Sequence, residues 1–344
     1  MKLPTLESEP RDRLGRPLDD LRISVIDRCN FRCSFCMPAG HKYTFLPREQ
    51  LLSFEEIARL AAVFVDLGVS KIRLTGGEPL LRRELEHLVE MLVAIPGVED
   101  LALTTNGVLL VEKAEALVAA GLHRVTVSLP ALDDDTFAKM SGEGHTVADV
   151  LAGIEAASAA GLGPIKVNAV VMRGVNENQI VPLARFLKER GHIARFIEFM
   201  DVGTVNDWDR GGVVSARSIL ETIDAELPLE RLPRRKPNDV ALRFRYLDDG
   251  VEGGVIASIT EPFCGDCSRA RLTADGKFYT CLFAAQGLDL KQPLREGQEH
   301  DGLARIVRSA WSDRSDRYSE ERAASIAPGG EMPIRKIEMF RIGG

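Results

Sequence analysis

No apolar run opens this 344-residue sequence: Met1 to Asp20 carries Glu7, Glu9, Arg11, Asp12 and Arg13, and reads neither as a secretory leader nor as a membrane anchor. The expected setting is therefore the cytoplasm, with no membrane partner. Positive charge is also in deficit. Lys and Arg number 44 against 51 Asp and Glu, for a net charge of −7, so the basic stripe of a general nucleic-acid binder is missing. A local basic pocket for a small anion is still allowed. There is no low-complexity tract, and no repeat other than alternating strand and helix patterns. Cysteine is scarce, at six, and in a reducing compartment these are not expected to pair as disulfides.

What is present is a soluble globular composition, 45% hydrophobic and 28% charged. The length suggests about two domains, or one large barrel with an appendage. From Leu21 onward, β-branched and aliphatic runs alternate with helix-period segments, as in βα units around a parallel sheet. The strands read 21–26, 71–74, 100–104, 124–129, 165–172 and 194–199. Ser53 with Glu56 three residues on is a capping box that starts the first helix, and Gly68, Gly121 and Gly161 stop helices. Six units are too few for a closed eight-stranded barrel, and periodicity does not choose between a partial barrel and an open doubly wound sheet.

The alternation is lost beyond Pro233-Arg234-Arg235-Lys236-Pro237, a charged run that reads as an exposed linker. The division expected is 1–235 and 236–344. Within the second part, strands are expected at 240–246 and 255–259, then a hairpin turning at Asp275-Gly276 and a helix around 303–311.

The six cysteines fall into two triplets with none left over. Cys29, Cys33 and Cys36 have the spacing C-x3-C-x2-C, directly after the first strand, where α/β enzymes keep their chemistry. Three thiolates ligate three irons of a 4Fe-4S cluster and leave the fourth open to a chelating substrate. The alternative is a zinc site completed by His41, although the spacing is not a usual zinc one. Cys264 and Cys267 with Cys281 on a returning strand again offer three ligands. A second 4Fe-4S cluster and a zinc knob both fit that pattern.

The run Asp27-Arg28-Cys29-Asn30-Phe31-Arg32-Cys33-Ser34-Phe35-Cys36 resembles the signature of the radical S-adenosylmethionine superfamily, with Phe35 in the aromatic slot before the third cysteine. Thr75-Gly76-Gly77-Glu78-Pro79 resembles that superfamily's Gly-Gly-Glu-Pro loop, whose glycines let backbone approach a ligand and whose polar groups meet the methionine amino group. The two triplets together, with Arg269 and Arg271 and the segments 45–48, 104–107, 195–201, 272–277 and Gly343-Gly344, resemble the GTP 3′,8-cyclase family of molybdenum-cofactor biosynthesis.

This resemblance implies a partial (βα)6 TIM-like barrel with a smaller α+β C-terminal domain, two 4Fe-4S clusters, and GTP between them. Reductive cleavage of S-adenosylmethionine would give a 5′-deoxyadenosyl radical that takes the 3′ hydrogen of GTP. Matching positions assign Phe35, Gly77, Ser128 and Met200 to S-adenosylmethionine. They assign Arg22, Arg73, Thr104, Lys166, Arg269, Ala270 and Arg271 to GTP, with Gly343 and Gly344 as a tail entering the site. The implied partners are an electron donor, a downstream cyclic pyranopterin synthase and, as a homodimer, a second copy of the chain. Two departures stand out: Phe35 where many relatives carry tyrosine, and Leu129-Pro130-Ala131 where Leu-Asp-Ser is usual, which bears on the geometry next to Ser128. The rival readings are another two-cluster radical enzyme, acting on a peptide, and a non-catalytic zinc-binding protein.

Overall fold

The structure is a computed structural model that describes residues 9–325 and 337–343. Six strands, β1 (Asp20–Ser24), β2 (Lys71–Thr75), β3 (Asp100–Thr105), β4 (Arg124–Ser128), β5 (Lys166–Val171) and β6 (Ile193–Glu198), pair in parallel and in chain order. A doubly wound sheet reverses its strand order at a switch point. No reversal occurs here, so the barrel alternative is the one realised. Helices α1 (Phe54–Asp66), α2 (Leu85–Val93), α3 (Leu110–Ala119), α4 (Asp134–Ser141), α5 (Val147–Ala159), α6 (Ile180–Glu189) and α7 (Ala216–Asp224) cover the outer face.

Side chains alternate across each strand. The outward set, including Leu21, Ile23, Ile72, Leu74, Leu103, Val125, Val127, Val167 and Phe196, is buried under the helices and forms the core. The inward set is polar. The helix starts follow the capping chemistry read from the sequence: the Ser53 hydroxyl accepts the Glu56 N–H while the Glu56 carboxylate accepts that of Ser53.

The C-terminal part does not make a separate sheet. After β7 (Leu229–Leu232), strands β8 (Leu242–Tyr246) and β9 (Glu252–Ile256) continue the array, with β9 parallel to β6. Strands β10 (Arg269–Leu272), β11 (Lys277–Tyr279) and β12 (Leu288–Asp289) continue it on the opposite side, with β10 parallel to β1. One twelve-stranded sheet results, and the division near 235 is no break in it. The Pro233–Pro237 run, read as a linker, lies between the antiparallel strands β7 and β8. Strand β7 went unread because only four residues precede that charged run. The hairpin at Asp275-Gly276 is present, and α8 (Lys291–Arg295), α9 (His300–Ser312) and α10 (Tyr318–Ser325) follow, α9 packing on α1. A last short helix, α11 (Met339–Ile342), belongs to the tail.

Eight parallel strands therefore stand side by side, β10-β1-β2-β3-β4-β5-β6-β9, and the chain from β9 to β10 runs between the two ends of that array. That connection carries Cys264 and Cys267. It is anchored by Glu198, fully buried at the end of β6. Its carboxylate accepts the N–H groups of Ala216, Ile259 and Thr260 at 2.7, 2.7 and 2.9 Å, and also the Thr260 hydroxyl. Glu198→Ala strands three backbone donors and a hydroxyl at about 1–3 kcal/mol each where no water reaches them. A urea melt of that variant is expected to lose about 3–5 kcal/mol, with Glu198→Gln retaining much of it; equal stability of Glu198→Ala and the parent chain would show that the anchor is unnecessary.

Candidate functional site

Inward-facing residues of the strands enclose a cavity of about 410 Å³. Arg22 of β1 stands beside Arg73 of β2 on one side and Arg271 of β10 on the other. Arg73 Nη1 donates to the hydroxyls of Thr104 and Thr126 at 3.1 and 3.2 Å. Lys166 pairs in register with Thr126, and Arg195 with Asn168. Twelve cationic side chains line the cavity against five carboxylates. Burial first, then repulsion from Arg124, Arg195 and Arg73, pulls Lys166 down to about 7. Burial likewise lowers Arg22 and Arg73 despite the opposing pull of Asp20. Arg22 Nε and Asn168 Oδ1 are buried with no partner. A buried cationic chamber with unspent polar atoms fits a polyanion with further hydrogen-bonding groups.

The second cysteine triplet lies on the same cavity: Cys264, Cys267 and Cys281 all line it, as do Arg269 and Arg271. Cys264–Asp266 forms one turn, closed by the Cys267 N–H on the Cys264 carbonyl at 3.2 Å. Cys267 Sγ accepts Arg269 Nε and Nη2 at 3.3 and 3.2 Å, and Cys281 Sγ accepts the Phe283 N–H at 3.5 Å. Burial opposes ionisation of Cys267, but Arg269 and Arg314 overcome it and bring the thiol to about 6. Burial pushes Cys281 up to about 12. Arg16 Nη2 is buried without a partner, on a guanidinium whose Nη1 bonds the Cys264 carbonyl.

The first triplet sits at the other end of the strands, in the loop after β1. Cys29 Sγ accepts the Phe31 N–H at 3.3 Å, and the Cys33 carbonyl accepts the N–H groups of Cys36 and Met37. Burial raises Cys29 to about 11 and lifts Cys33 and Cys36 well above the ordinary thiol range, with repulsion between the thiolates adding to it. All six cysteines are free thiols. Among the described residues no three His, Cys, Asp or Glu side chains close round one ion. The case for a cofactor rests on the donor set: two groups of three soft, half-buried thiols, with N–H donors on the sulfurs of Cys29, Cys267 and Cys281, are of the kind that would hold cluster irons.

Gly76 and Gly77 turn out to serve the cysteine loop. A Cβ on Gly76 would strike the Ile26 carbonyl and one on Gly77 the Arg28 carbonyl. Across this close approach the N–H groups of Gly77 and Glu78 donate to those two carbonyls, each at 2.8 Å. The Glu78 side chain is committed within the protein. Its buried carboxylate accepts the Leu80 N–H, the Thr105 hydroxyl and the Asn106 N–H. Asn106 in turn donates to Asn30, at 2.8 Å, inside the first triplet.

The remaining assigned positions divide. Met200 lines the cavity just beyond β6, and Ser128 ends β4 opposite Asn168. The Pro130 carbonyl accepts Asn176 Nδ2 at 2.9 Å, which fixes the turn beside Ser128. Phe35 is half-buried, its carbonyl accepting Asn206 Nδ2 at 3.4 Å. Ala270 does not line the cavity, because its methyl points to the opposite face of β10 and packs in the core. Gly343 lies against Thr75 with φ +72°, and its carbonyl accepts Arg271 Nη1. Gly344 lies outside the described residues. Sequence reading missed Lys71, Arg124 and Arg195 on the cavity wall. Their signal was there, as polar residues that alternate with apolar ones along β2, β4 and β6.

Two family models match the chain: the radical SAM superfamily over residues 23–187 and Molybdenum Cofactor Synthesis C over 192–320. A GTP 3′,8-cyclase of Acidothermus cellulolyticus is 52% identical, over 97% of this chain and 99% of the relative. The chain belongs to the GTP 3′,8-cyclase family. Other GTP 3′,8-cyclases, from Xanthomonas axonopodis pv. citri and Aquifex aeolicus, are 51% and 47% identical, each over 97% of this chain and 98% and 99% of their own. Among solved structures, Streptococcus suis SuiB bound to S-adenosylmethionine superposes with a TM-score of 0.58 at 16% identity, over 86% of this chain and 68% of its own. That likeness shows the barrel fold shared with radical SAM enzymes, and the fold class expected from the family resemblance is the one observed.

Gly77→Ala tests the close approach. The methyl must displace the Arg28 carbonyl, costing about 1–3 kcal/mol as local overpacking. S-adenosylmethionine binding by calorimetry is expected to fall at least tenfold while far-ultraviolet circular dichroism is retained. Unchanged binding would mean that the cysteine loop tolerates the shift.

Proposed function

We propose that this chain converts GTP to (8S)-3′,8-cyclo-7,8-dihydroguanosine 5′-triphosphate, the first step of molybdenum-cofactor biosynthesis, using two 4Fe-4S clusters. The observation that carries this reading is a single cavity shared by the second cysteine triplet and the cationic strand residues. When bound, the first cluster and S-adenosylmethionine supply the 5′-deoxyadenosyl radical that takes the 3′ hydrogen, and the open iron of the second cluster receives the guanine.

The chain's own work is to bind, orient and exclude water. Arg22, Arg73, Lys166, Arg269 and Arg271 offer their charge to the triphosphate, and Arg forks match phosphate oxygens in pairs. Thr104 is held towards the same chamber by Arg73. Burial and, after it, repulsion lower Lys166, and a bound polyanion offsets the repulsion, so binding favours the charged amine. Phe35, Gly77, Ser128 and Met200 belong with S-adenosylmethionine at the far ends of the strands, towards Cys29, Cys33 and Cys36. Of these Met200 also lines the chamber, which gives the two substrates a common wall. Hydrogen abstraction needs a short fixed approach, and enclosure keeps the radical from water.

On this reading residues 1–235 hold the radical source and 236–344 complete the substrate site. An external electron donor feeds the first cluster, a cyclic pyranopterin synthase consumes the product, and the enzyme works in the cytoplasm as a homodimer. No helix among the described residues is long and apolar enough to cross a membrane.

Two experiments test the proposal. Anaerobically reconstituted and reduced protein is expected to release 5′-deoxyadenosine with S-adenosylmethionine and GTP and to form the cyclised nucleotide; Cys281→Ser should keep S-adenosylmethionine binding and lose cyclisation. Zinc without iron in the purified protein would sink the reading, and deoxyadenosine without GTP dependence would sink the substrate alone.

The second experiment is a pH series. Lys166 at about 7 in the free chain is raised by bound triphosphate, so binding takes up a proton above that pH. GTP affinity is expected to fall by up to roughly tenfold per pH unit above 7, and Lys166→Met to flatten the profile. The same slope in Lys166→Met would place the titrating group elsewhere.

A further inference from the structure

Asp12, Arg16 and Arg314 lie outside the strands, the two arginines on the cavity wall, and their side chains are at most 2% exposed. Asp12 Oδ2 accepts Arg16 Nε at 2.5 Å and lies 3.4 Å from Arg314 Nη1. Its Oδ1 accepts the N–H groups of Leu14 and Arg16, each at 2.9 Å, which closes the turn of the N-terminal arm. A buried carboxylate facing two guanidinium groups fixes both orientations, because neither cation has water to turn towards.

Both guanidinium groups then reach the second triplet. Arg16 Nη1 donates to the Cys264 carbonyl at 2.7 Å, and Arg314 Nη1 to the Cys267 carbonyl at 2.6 Å. Arg314 Nε also bonds Asp316 Oδ1 at 3.2 Å, while Asp316 Oδ2 accepts the hydroxyl of Thr280, the neighbour of Cys281, at 2.8 Å. Trp311 completes the clamp, donating Nε1 to the Arg16 carbonyl at 3.1 Å beneath the Arg314 guanidinium. One carboxylate near the start of the described residues is thus tied, through two arginines, to the carbonyls of Cys264 and Cys267 and, through Arg314 and Asp316, to the hydroxyl of Thr280 beside Cys281.

We propose that Asp12 is a positioning residue for the second cluster, setting the spacing of Cys264, Cys267 and Cys281 through Arg16 and Arg314. This rests on the reading of that triplet as a cluster site. Without the Asp12 charge the two arginines repel each other, and the carbonyls of two ligands lose their fixed donors.

The test uses full-length protein reconstituted anaerobically, with Cys264→Ser as the control. Asp12→Asn is expected to lower iron from roughly eight to roughly four atoms per chain, or to keep the iron while losing the GTP-induced change in the electron paramagnetic resonance signal of the second cluster. S-adenosylmethionine binding should stay within about twofold of the parent. The signal is read in a Cys29→Ser/Cys33→Ser/Cys36→Ser background, so that only the second cluster contributes. Parent-like iron and an unchanged GTP response overturn the inference, as does equal loss of both clusters, which would mark Asp12 as general scaffold. Should Asp12→Asn fail to fold, Arg314→Lys decides: it keeps the charge but loses the fork, and a parent-like signal overturns the inference while an altered one upholds it. If Cys264→Ser itself leaves iron and spectrum unchanged, the second-cluster reading fails; if it removes the signal that Asp12→Asn leaves intact, only the positioning role fails.

Discussion

A chain with a net charge of −7 encloses a chamber where cations outnumber carboxylates twelve to five, and the rest of the architecture follows from holding those like charges together in the dark. Cations packed side by side repel, and removal from water makes each costlier. The sheet bears this because its other face is largely apolar and packed under helices, with the buried Thr105 and Glu198 hydrogen-bonded there. The strands supply fixed platforms on which Arg22, Arg73 and Arg271 stand in register on adjacent strands. Loops carrying the same residues would fold the arginines outward to solvent.

The same constraint explains how the barrel ends. Strands β9 and β10, drawn from the C-terminal part, extend the parallel array at both sides, and the segment between them crosses from one side to the other. A segment with few strand bonds must be held by side chains. Glu198 grips its beginning, while Arg16 and Arg314 grip its cysteine turn. Such a segment can therefore carry ligands whose spacing is adjusted by side-chain contacts without disturbing the sheet.

Much of this was legible from sequence, for reasons that differ by residue. The six strand positions followed from local apolar runs, and the helix starts from Ser53 and Glu56. The triplets were legible because thiol chemistry demands their spacing. The chamber wall was only partly so: Lys71, Arg124 and Arg195 alternate with apolar residues and line the cavity, but the strands were recognised by their apolar runs alone. Ala270 is the opposite case, a residue assigned with its neighbours whose side chain the strand turns to the core, leaving only its backbone between Arg269 and Arg271. Asp12 and Arg314 left no trace, since they meet only after about three hundred residues have folded between them. Gly77 was legible as a glycine of close approach, and its missing side chain also makes room for the Arg28 carbonyl.

The tail brings these strands of reasoning together at one point. Its aromatic Phe340 packs edge-on against Tyr43 and Phe45, in the segment beyond the first triplet, and Arg341 bonds the Thr44 carbonyl at 2.7 Å. Glu338 accepts the hydroxyl and N–H of Thr204, in the segment beyond Met200. Gly343, in a left-handed conformation where a side chain would collide with Thr75, presents its carbonyl to Arg271. The motifs at Phe45, Thr75 and Arg271 are far apart in sequence and chemically unlike. They share a neighbour: each meets the tail where the first cysteine loop, the Gly-Gly turn and the cationic chamber adjoin. A chain end normally frays, because ordering it costs entropy that few contacts repay. Here the contacts of residues 338–343 are with the parts that must be held in mutual register, and each of them is a contact that repays that cost.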